Sequence, residues 1–300
     1  MFILNNMYPN NFIELKDKNI IHSNFKQNSI LEGLTQEQGN MYLSQIHKEF
    51  SNISLLSIFE FVEMIDVFGN PLRFPFTYNQ IKFVCSPTPL RFIYHSLLIL
   101  KRVEAILEEA EIENNTIPKI SFVELRGGYG GLFLAISFFS TFFKIPDGVF
   151  STYHFVDVND ALEYVIDPYL KNYKYLFEKV FRDGYKLHDA INYGMDIQSP
   201  DITPTTPILQ SSSSSSQIHQ LFFISNYCFT EIDEISRIKF ISLIYKAQHG
   251  FITWQTFYGV GIDKNRISKY LLEKDINKIV IEEERPQTSP HSEKNYFVMF

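Results

Sequence analysis

The sequence predicts an α/β protein whose core is a mostly parallel sheet of seven strands with a C-terminal antiparallel strand. From Ile120 onward, short apolar runs alternate with longer segments of helical spacing, which is typical of a parallel sheet covered by helices on both faces. The last two apolar runs are joined by a proline-containing loop over 283–295 with no helix between them. That short connection predicts that the final strand lies antiparallel beside its predecessor.

The individual elements follow from the same patterns. Apolar runs bounded by turn residues predict strands at 121–125, 153–157, 185–188, 221–226, 251–256, 278–282 and 296–300. Apolar residues at helical spacing predict helices at 131–143, 160–182, 231–248 and 263–273. The segment 199–219 contains six consecutive serines and is predicted to be a flexible low-complexity insertion, because it cannot bury a core.

Residues 1–85 are predicted to form a mostly helical N-terminal cap, and residues 86–300 the main domain. Apolar spacing between 36 and 68 predicts two short helices, which the turn at 68–71 ends. A longer helix is predicted to begin at Ser86-Pro87-Thr88-Pro89, where a hydroxyl cap is followed by proline in the first turn. The cap either packs on the main domain for stability alone or also covers a bound substrate.

Composition excludes several classes of function. The formal net charge is −7 and no basic stripe is visible, which disfavours nucleic-acid binding because that requires clustered Lys and Arg. Cys85 and Cys228 are far apart and indicate no disulfide framework and no metal site. The N-terminus lacks the pattern of a signal peptide, and the most apolar stretch, 132–143, is too short for a membrane span. We therefore expect a cytoplasmic protein without membrane insertion.

The segment from Ile120 to Gly131 suggests where chemistry occurs. An apolar run ends at Glu124, passes through the glycine-rich turn at 127–131, and continues as an apolar helix. In this order the backbone of the loop can approach a ligand closely, and helix N–H groups point at it. A glycine-rich loop alone is a weak signal, but its position between a strand and a helix favours a nucleotide-type site.

Four stretches together resemble the class I S-adenosylmethionine-dependent methyltransferases, and more narrowly the sugar O-methyltransferases of polysaccharide synthesis. They are SPTPLRFIY at 86–94, FVELRGGYGGL at 122–132, ISNYCFTE at 224–231 and GFITW at 250–254. The resemblance covers roughly residues 86–300. It implies a Rossmann-like fold, S-adenosyl-L-methionine as cofactor, and methyl transfer to a hydroxyl of a sugar or nucleotide-sugar.

The resemblance also implies a cofactor half of the site. It assigns Asp157 to the ribose hydroxyls, which suits a carboxylate with two acceptor oxygens; a solvated helix cap is the alternative role. Asp189 or Asn192 would reach the adenine amine. Arg91 would bind either the cofactor carboxylate or a nucleotide-sugar phosphate, unless it forms only a surface ion pair. The residues assigned around the methionine part are Glu124, Gly127, Gly128, Tyr129 and Gly130.

For the acceptor half, we predict the residues that follow the fourth strand, Asn226, Tyr227 and Glu231. A sugar hydroxyl is a poor nucleophile at neutral pH, so a positioned base is needed. Glu231 is the first choice, although a first-turn glutamate favoured by the helix dipole is the alternative. The rival bases are His154 and His249. Trp254 either stacks on a sugar or belongs to the core. Some sugar methyltransferases use Mg²⁺, so the resemblance leaves this metal open, but no ligand set for it stands out in the sequence. Glu282-Glu283-Glu284 is interpreted as a solvated strand end.

Arg126 departs from the pattern of the resembled family, which has glycine at this position of the loop. A side chain there obstructs backbone conformations that glycine adopts. Either the loop bends differently and Arg126 points to solvent, or cofactor affinity is impaired. The alternatives to a sugar methyltransferase are a non-catalytic protein that keeps the fold as a binding or scaffold module, and a methyltransferase with a non-sugar acceptor.

Overall fold

In this computed structural model the described residues are 26, 33–114, 117–190, 218–256, 261–271, 274–275, 278–288 and 294–300. The helices are α1 (Gln36–Glu49), α2 (Leu55–Ile65), α3 (Thr88–Asn114), α4 (Gly131–Phe139), α5 (Asn159–Ala161), α6 (Asp167–Lys171), α7 (Lys174–Phe177), α8 (Cys228–Glu231), α9 (Glu234–Lys246) and α10 (Ile267–Tyr270). The strands are β1 (Phe74–Tyr78), β2 (Ile81–Cys85), β3 (Lys119–Leu125), β4 (Phe150–Asp157), β5 (Tyr185–Asp189), β6 (His219–Asn226), β7 (His249–Trp254), β8 (Val280–Glu283) and β9 (Tyr296–Met299).

Seven strands form one sheet in the order β5-β4-β3-β6-β7-β9-β8. Neighbouring strands from β5 to β7 are parallel, whereas β9 is antiparallel to both β7 and β8. The fold is therefore the predicted Rossmann-like α/β fold, with a mostly parallel sheet and one antiparallel strand contributed by the C-terminus. Strand order reverses between β3 and β6, and in open parallel sheets ligands bind outside the carboxyl ends of the strands at such a point.

Alternate residues of each strand enter two different cores, as the pleat of a strand requires. On one face, Phe122, Tyr153 and Phe222 join the side chains of α1 to α4 in a single apolar cluster. On the other face, Val123, Phe223 and neighbouring side chains pack against α8, α9 and α10. Glu124 and Asp157 have the parity of the first set, so both belong to the face that α4 covers.

The N-terminal part contains the two predicted helices, α1 and α2, and also a β-hairpin that the sequence patterns did not indicate. β1 and β2 pair antiparallel, with Asn79 and Gln80 in left-handed conformations at the turn between them. Exposed or partly buried side chains predominate along β1 and β2, and they obscure the alternating apolar pattern that would predict a strand. The side chain of Asp66, at the end of α2, accepts hydrogen bonds from Ser86 N (2.7 Å) and Ser86 Oγ (2.9 Å). Ser86 thus ties this part to the start of α3.

Two long predicted helices are broken. The predicted helix at 160–182 is a succession of α5, a π-helical turn at Leu162–Ile166, α6 and α7, and Pro168 in the first turn of α6 removes a helical donor. The predicted helix at 231–248 begins only at Glu234, because Asp233 caps α9 by accepting from Ser236 N. Glu231 therefore ends the short preceding helix α8 and does not lie in the first turn of a long one.

The segment 199–219 lies outside the described residues except for Ile218 and His219, and His219 is the first residue of β6. Within the described part of the chain, no helix is both long enough and apolar enough to cross a bilayer.

Candidate active site

The predicted residues meet at the carboxyl edge of the sheet. Glu124 lies next to the end of β3, and β4, β5 and β6 end at Asp157, Asp189 and Asn226. The start of α3 reaches the same edge, since the ring of Phe92 lies against Gly131, the first residue of α4. Chemistry-bearing side chains from separate parts of the sequence are thus brought together at the point where strand order reverses.

The loop between β3 and α4 depends on left-handed backbone at three positions. Arg126, Gly128 and Gly130 have φ values of 56°, 62° and 87°, and Gly130 is the N-cap of α4. Gly127 is required for a different reason, because a Cβ there would lie 2.5 Å from the Phe155 ring and 3.0 Å from Glu124 Oε2. The sequence of the loop is therefore matched to a tight turn over the end of β3.

Glu124 is a buried carboxyl, with 2% of its surface exposed. Tyr153 Oη donates a hydrogen bond of 2.8 Å to its Oε2. Burial raises the pKa of Glu124 from 4.5 to about 8; the nearby Asp157 also raises it, and the Tyr153 hydrogen bond opposes the rise. At neutral pH the carboxyl of Glu124 is therefore largely protonated, and a cationic ligand group beside it would favour ionisation.

Asp157 is fully buried, and its Oδ1 accepts a hydrogen bond of 2.8 Å from Val158 N. It lies directly opposite Asp189 in the β4–β5 register, and Asp189 is partly exposed. Glu124 and Asp157 end adjacent parallel strands on the same face, so the sheet holds two carboxyl groups close together beneath the glycine-rich loop. Asn192, the alternative to Asp189, lies outside the described residues.

The expectation that the loop bends differently, with Arg126 pointing to solvent, is wrong. Arg126 adopts the left-handed conformation that glycine would have, at φ 56°, so the bend of the loop is kept. Its Nη2 is buried. Its positive charge lowers the pKa of both Cys228 and Glu231, in each case against the larger effect of burial. The guanidinium therefore points toward α8 and not into solvent.

Asn226 ends β6, and Tyr227 follows it. Asn226 Oδ1 lies 3.1 Å from His95 Nδ1 of α3 and 3.1 Å from Thr253 Oγ1 of β7. Tyr227 has a left-handed backbone at φ 64°, which is uncommon for a bulky residue and marks local strain. The Arg91 guanidinium lies over the Tyr227 ring, with its Cζ 5.3 Å from the ring centroid. The predicted box after β6 is thus held rigidly and contacts the start of α3.

Glu231 is partly buried at the end of α8. Burial raises its pKa, and this rise is opposed by a side-chain hydrogen bond from Gln255 and by the charges of Arg126 and Arg91. Arg91 and Arg126 come from different elements and both act on this carboxyl. Burial thus shifts the pKa of Glu231 upward, in the direction that suits a general base for a hydroxyl proton.

Sequence reasoning missed Gln255, His95, Thr253 and Glu284. Glu284 was interpreted as part of a solvated acidic run, and this is wrong because it is 1% exposed. Its carboxylate accepts hydrogen bonds from the hydroxyl of Tyr227, from Thr288 N (3.1 Å) and from Asn295 Nδ2 (2.9 Å). Nothing in the sequence distinguishes the buried Glu284 from its neighbours Glu282 and Glu283, which are exposed.

Four other candidates lie away from the edge or serve the core. The ring of Tyr129 is buried against Phe92 and Tyr169. Tyr129 therefore contributes only its backbone to the glycine-rich loop. His249 begins β7 at the amino edge, opposite the site, and His154 pairs with His188 at 2.9 Å. Trp254 is fully buried and donates to Ile262 O at 2.8 Å, which confirms its core role.

Among the residues that the structure describes, no three or more His, Cys, Asp and Glu side chains are grouped so that they could hold a metal ion.

No protein-family model matches this chain, and no curated protein matches it. Solved structures match at low similarity. Magnesium protoporphyrin IX methyltransferase from Synechocystis PCC 6803 with bound SAM has a TM-score of 0.37 and 9% identity over 87% of this chain and 95% of that one. CurJ carbon methyltransferase has a TM-score of 0.37 and 13% identity, over 88% of this chain and 69% of that one. An S-adenosylmethionine-dependent methyltransferase from Clostridium acetobutylicum ATCC 824 has a TM-score of 0.34 and 10% identity, over 71% of this chain and 97% of that one. At such values the likeness says nothing about the ligand or substrate of this chain.

Proposed function

We propose that this protein is an S-adenosyl-L-methionine-dependent O-methyltransferase, and that its acceptor is a hydroxyl of a sugar or nucleotide-sugar. The observation that carries the proposal is the pair of buried carboxyls, Glu124 and Asp157, at the ends of adjacent parallel strands beneath a glycine-rich loop that opens a helix. The same edge carries a partly buried carboxyl, Glu231, whose pKa the charges of Arg91 and Arg126 lower against the larger effect of burial. A cofactor half and an acceptor half therefore lie side by side.

The cofactor fits the residues present. Asp157 offers acceptor oxygens for the two ribose hydroxyls. The buried carboxyl of Glu124 suits a ligand with positive charge, because such a ligand offsets the cost of ionising it. Residues 127–130 would lie along the methionine part, Asp189 near the adenine amine, and Arg91 near a carboxylate. When bound, S-adenosyl-L-methionine supplies a methyl group activated on a sulfonium.

The chain itself supplies positioning and proton removal. Glu231 accepts the proton that the acceptor hydroxyl loses, and Gln255 positions its carboxylate through a side-chain hydrogen bond. Holding the acceptor in line with the methyl group contributes much of the rate in such reactions. No redox or covalent step on a protein side chain is needed.

A nucleotide-sugar is supported by the two guanidinium groups at the acceptor side. Arg91 lies on the Tyr227 ring, and Arg126 reaches the same region from the glycine-rich loop. Guanidinium groups suit phosphate oxygens geometrically. An acceptor that carries phosphates would find two such groups within the same site.

We further propose that residues 1–85 cap the acceptor side of a catalytic domain formed by residues 86–300. Tyr42 of α1 is fully buried. Burial raises its pKa well above the usual value; Tyr227 and Glu284 raise it further, and Arg91 opposes them. These neighbours belong to the site, so α1 borders the place where the acceptor would lie.

The test is methyl transfer from S-adenosyl-L-methionine to a panel of nucleotide-sugars, followed by mass spectrometry of the products. We expect wild-type protein to methylate at least one of them, and Glu231→Gln to lose at least about 100-fold of the rate, the usual contribution of a general base. Exposed Glu37 provides the control variant Glu37→Gln, which is expected to keep the wild-type rate. Equal rates for both variants would remove Glu231 from the mechanism.

A further inference from the structure

His95, Asn226 and Thr253 form a polar cluster behind the acceptor half of the site. His95 Nδ1 and Thr253 Oγ1 each lie 3.1 Å from Asn226 Oδ1. His95 and Thr253 are fully buried, whereas Asn226 is partly exposed. The three residues come from α3, β6 and β7, so the cluster is assembled by the fold.

The ring of His95 carries one proton, because burial and the charge of Arg91 lower its pKa to about 3. Its Nε2 is buried without a hydrogen-bond partner among the described residues. A buried N–H group without a partner is rarer in proteins than an acceptor lone pair without one. The proton therefore lies on Nδ1, which donates to Asn226 Oδ1.

This tautomer fixes the orientation of the Asn226 amide. A carbonyl oxygen has two lone pairs, and those of Asn226 Oδ1 are used by His95 and Thr253. The NH₂ group is consequently the part of the Asn226 amide that is left for a ligand at the carboxyl edge of β6. Nδ2 makes no hydrogen bond within the described part of the chain, so it is available as a donor to a ligand there.

We propose that Asn226 donates a hydrogen bond to the acceptor oxygen, and that His95 and Thr253 are positioning residues that hold it in this orientation. The inference rests on the proposed function and narrows its substrate class. A hydroxyl oxygen has two lone pairs, so it can accept from Asn226 with one and form the new carbon–oxygen bond with the other. Its proton passes to Glu231.

An amine acceptor is disfavoured by the same geometry. A neutral amine nitrogen has a single lone pair, which cannot both accept from Asn226 and attack the methyl carbon. The site is therefore suited to oxygen acceptors and selects against amines.

Histidine NMR on the full-length, ¹⁵N-labelled protein tests the orientation directly. Two-bond ¹H–¹⁵N spectra are expected to show His95 with a protonated Nδ1 and an unprotonated Nε2, unchanged from about pH 5 to about pH 8, where ordinary histidines titrate. His95→Gln identifies the signals; if that variant does not fold, Asn226→Ala does so by shifting them. A proton on Nε2, or titration in this range, would overturn the inference.

Two further readouts separate this inference from the proposed function. Calorimetric titration with S-adenosylhomocysteine reports on the cofactor half alone. A wrong tautomer in protein that binds S-adenosylhomocysteine overturns only the role of Asn226, whereas the predicted tautomer without binding overturns the methyltransferase and the acceptor role together. In the acceptor panel, methylation of the amine of UDP-glucosamine would contradict the lone-pair selection.

Discussion

Arg126 adopts a left-handed backbone conformation that glycine usually occupies. At φ 56°, an L-residue loses about 1–2 kcal/mol relative to its preferred conformations. The loop keeps its bend nevertheless, and the charge of the Arg126 side chain lowers the pKa of Glu231 and of Cys228. A residue that departs from the pattern of the loop is thereby part of the site.

Arg126→Gly and Arg126→Ala separate backbone strain from charge. Both remove the guanidinium, but only alanine keeps a Cβ in the left-handed conformation. We expect the glycine variant to be more stable than the alanine variant by about 1 kcal/mol in urea unfolding. Equal stabilities would show that the backbone at this position relaxes to another conformation.

The same variants are expected to shift the pH dependence of methyl transfer. The Arg126 charge lowers the pKa of Glu231, so its removal raises that pKa. Because the base must be ionised, the acid limb of the rate profile moves to higher pH in both variants. Arg126→Lys keeps the charge and serves as the control, which is expected to leave the limb close to its wild-type position.

Glu124 predicts how the stability of the ligand-free protein depends on pH. Its pKa is raised from 4.5 to about 8 by burial first of all, so the folded state binds a proton that the unfolded state releases. Stability therefore falls as pH rises from about 4.5 to about 8. Glu124→Gln is expected to flatten this fall in urea unfolding at several pH values. An equally steep fall in the variant would show that other groups cause it.

Glu284 shows where residue patterns fail. Glu282, Glu283 and Glu284 are identical in sequence, yet only the third is buried. Its burial depends on Tyr227 and Asn295, which lie 57 and 11 residues away. Contacts of such separation have no local signal. For Trp254, by contrast, its place in an apolar strand indicated a core role as one of two alternatives, and its burial bears that alternative out.

At the scale of elements, the strands were easier to predict than the helices. Parallel strands buried on both faces are near-continuous apolar runs, and the central ones were found with small shifts of their ends. The segment 159–177 has helical apolar spacing, but a π turn at Leu162–Ile166 changes its hydrogen bonding, and the helix stops at Lys171 before α7 begins. Apolar spacing alone does not report such breaks.

The loop between β3 and α4 is the element on which the cofactor half depends. A Cβ at Gly127 would contact the Phe155 ring and Glu124 Oε2, so Gly127→Ala is expected to displace the loop. We expect loss of S-adenosylhomocysteine binding by calorimetry. Gly184→Ala is the matched control: Gly184 has φ 64° but nothing near its Cβ position, and it precedes β5 at the other edge. Binding that survives Gly127→Ala would place the cofactor elsewhere.

At the scale of the whole molecule, the C-terminal strands complete the site as well as the sheet. Glu284 follows β8, and its carboxylate accepts a hydrogen bond from the hydroxyl of Tyr227, which follows β6. Arg285 lies 3.8 Å from Glu49 of α1. The end of the chain thus links the sheet edge to the N-terminal part.

Glu284→Ala should therefore destabilise the entire fold. It leaves buried donors of Tyr227 and Asn295 without their acceptor, which costs about 3 kcal/mol in urea unfolding. Glu283→Ala is the control, since Glu283 pairs with Lys294 at the surface, and its unfolding midpoint is expected to stay almost unchanged. A small effect of Glu284→Ala would mean that the loop after β8 does not contribute to stability.

The most direct test of the central claim is calorimetric titration of the purified protein with S-adenosylhomocysteine. Micromolar binding is expected in wild-type protein, and it should be abolished by Asp157→Ala, because the buried carboxylate at the end of β4 is the assigned partner of the ribose hydroxyls. Asp147→Ala, at an exposed position, is expected to bind as the wild type does. Absence of binding in folded wild-type protein would contradict the account and favour a non-catalytic role for the fold.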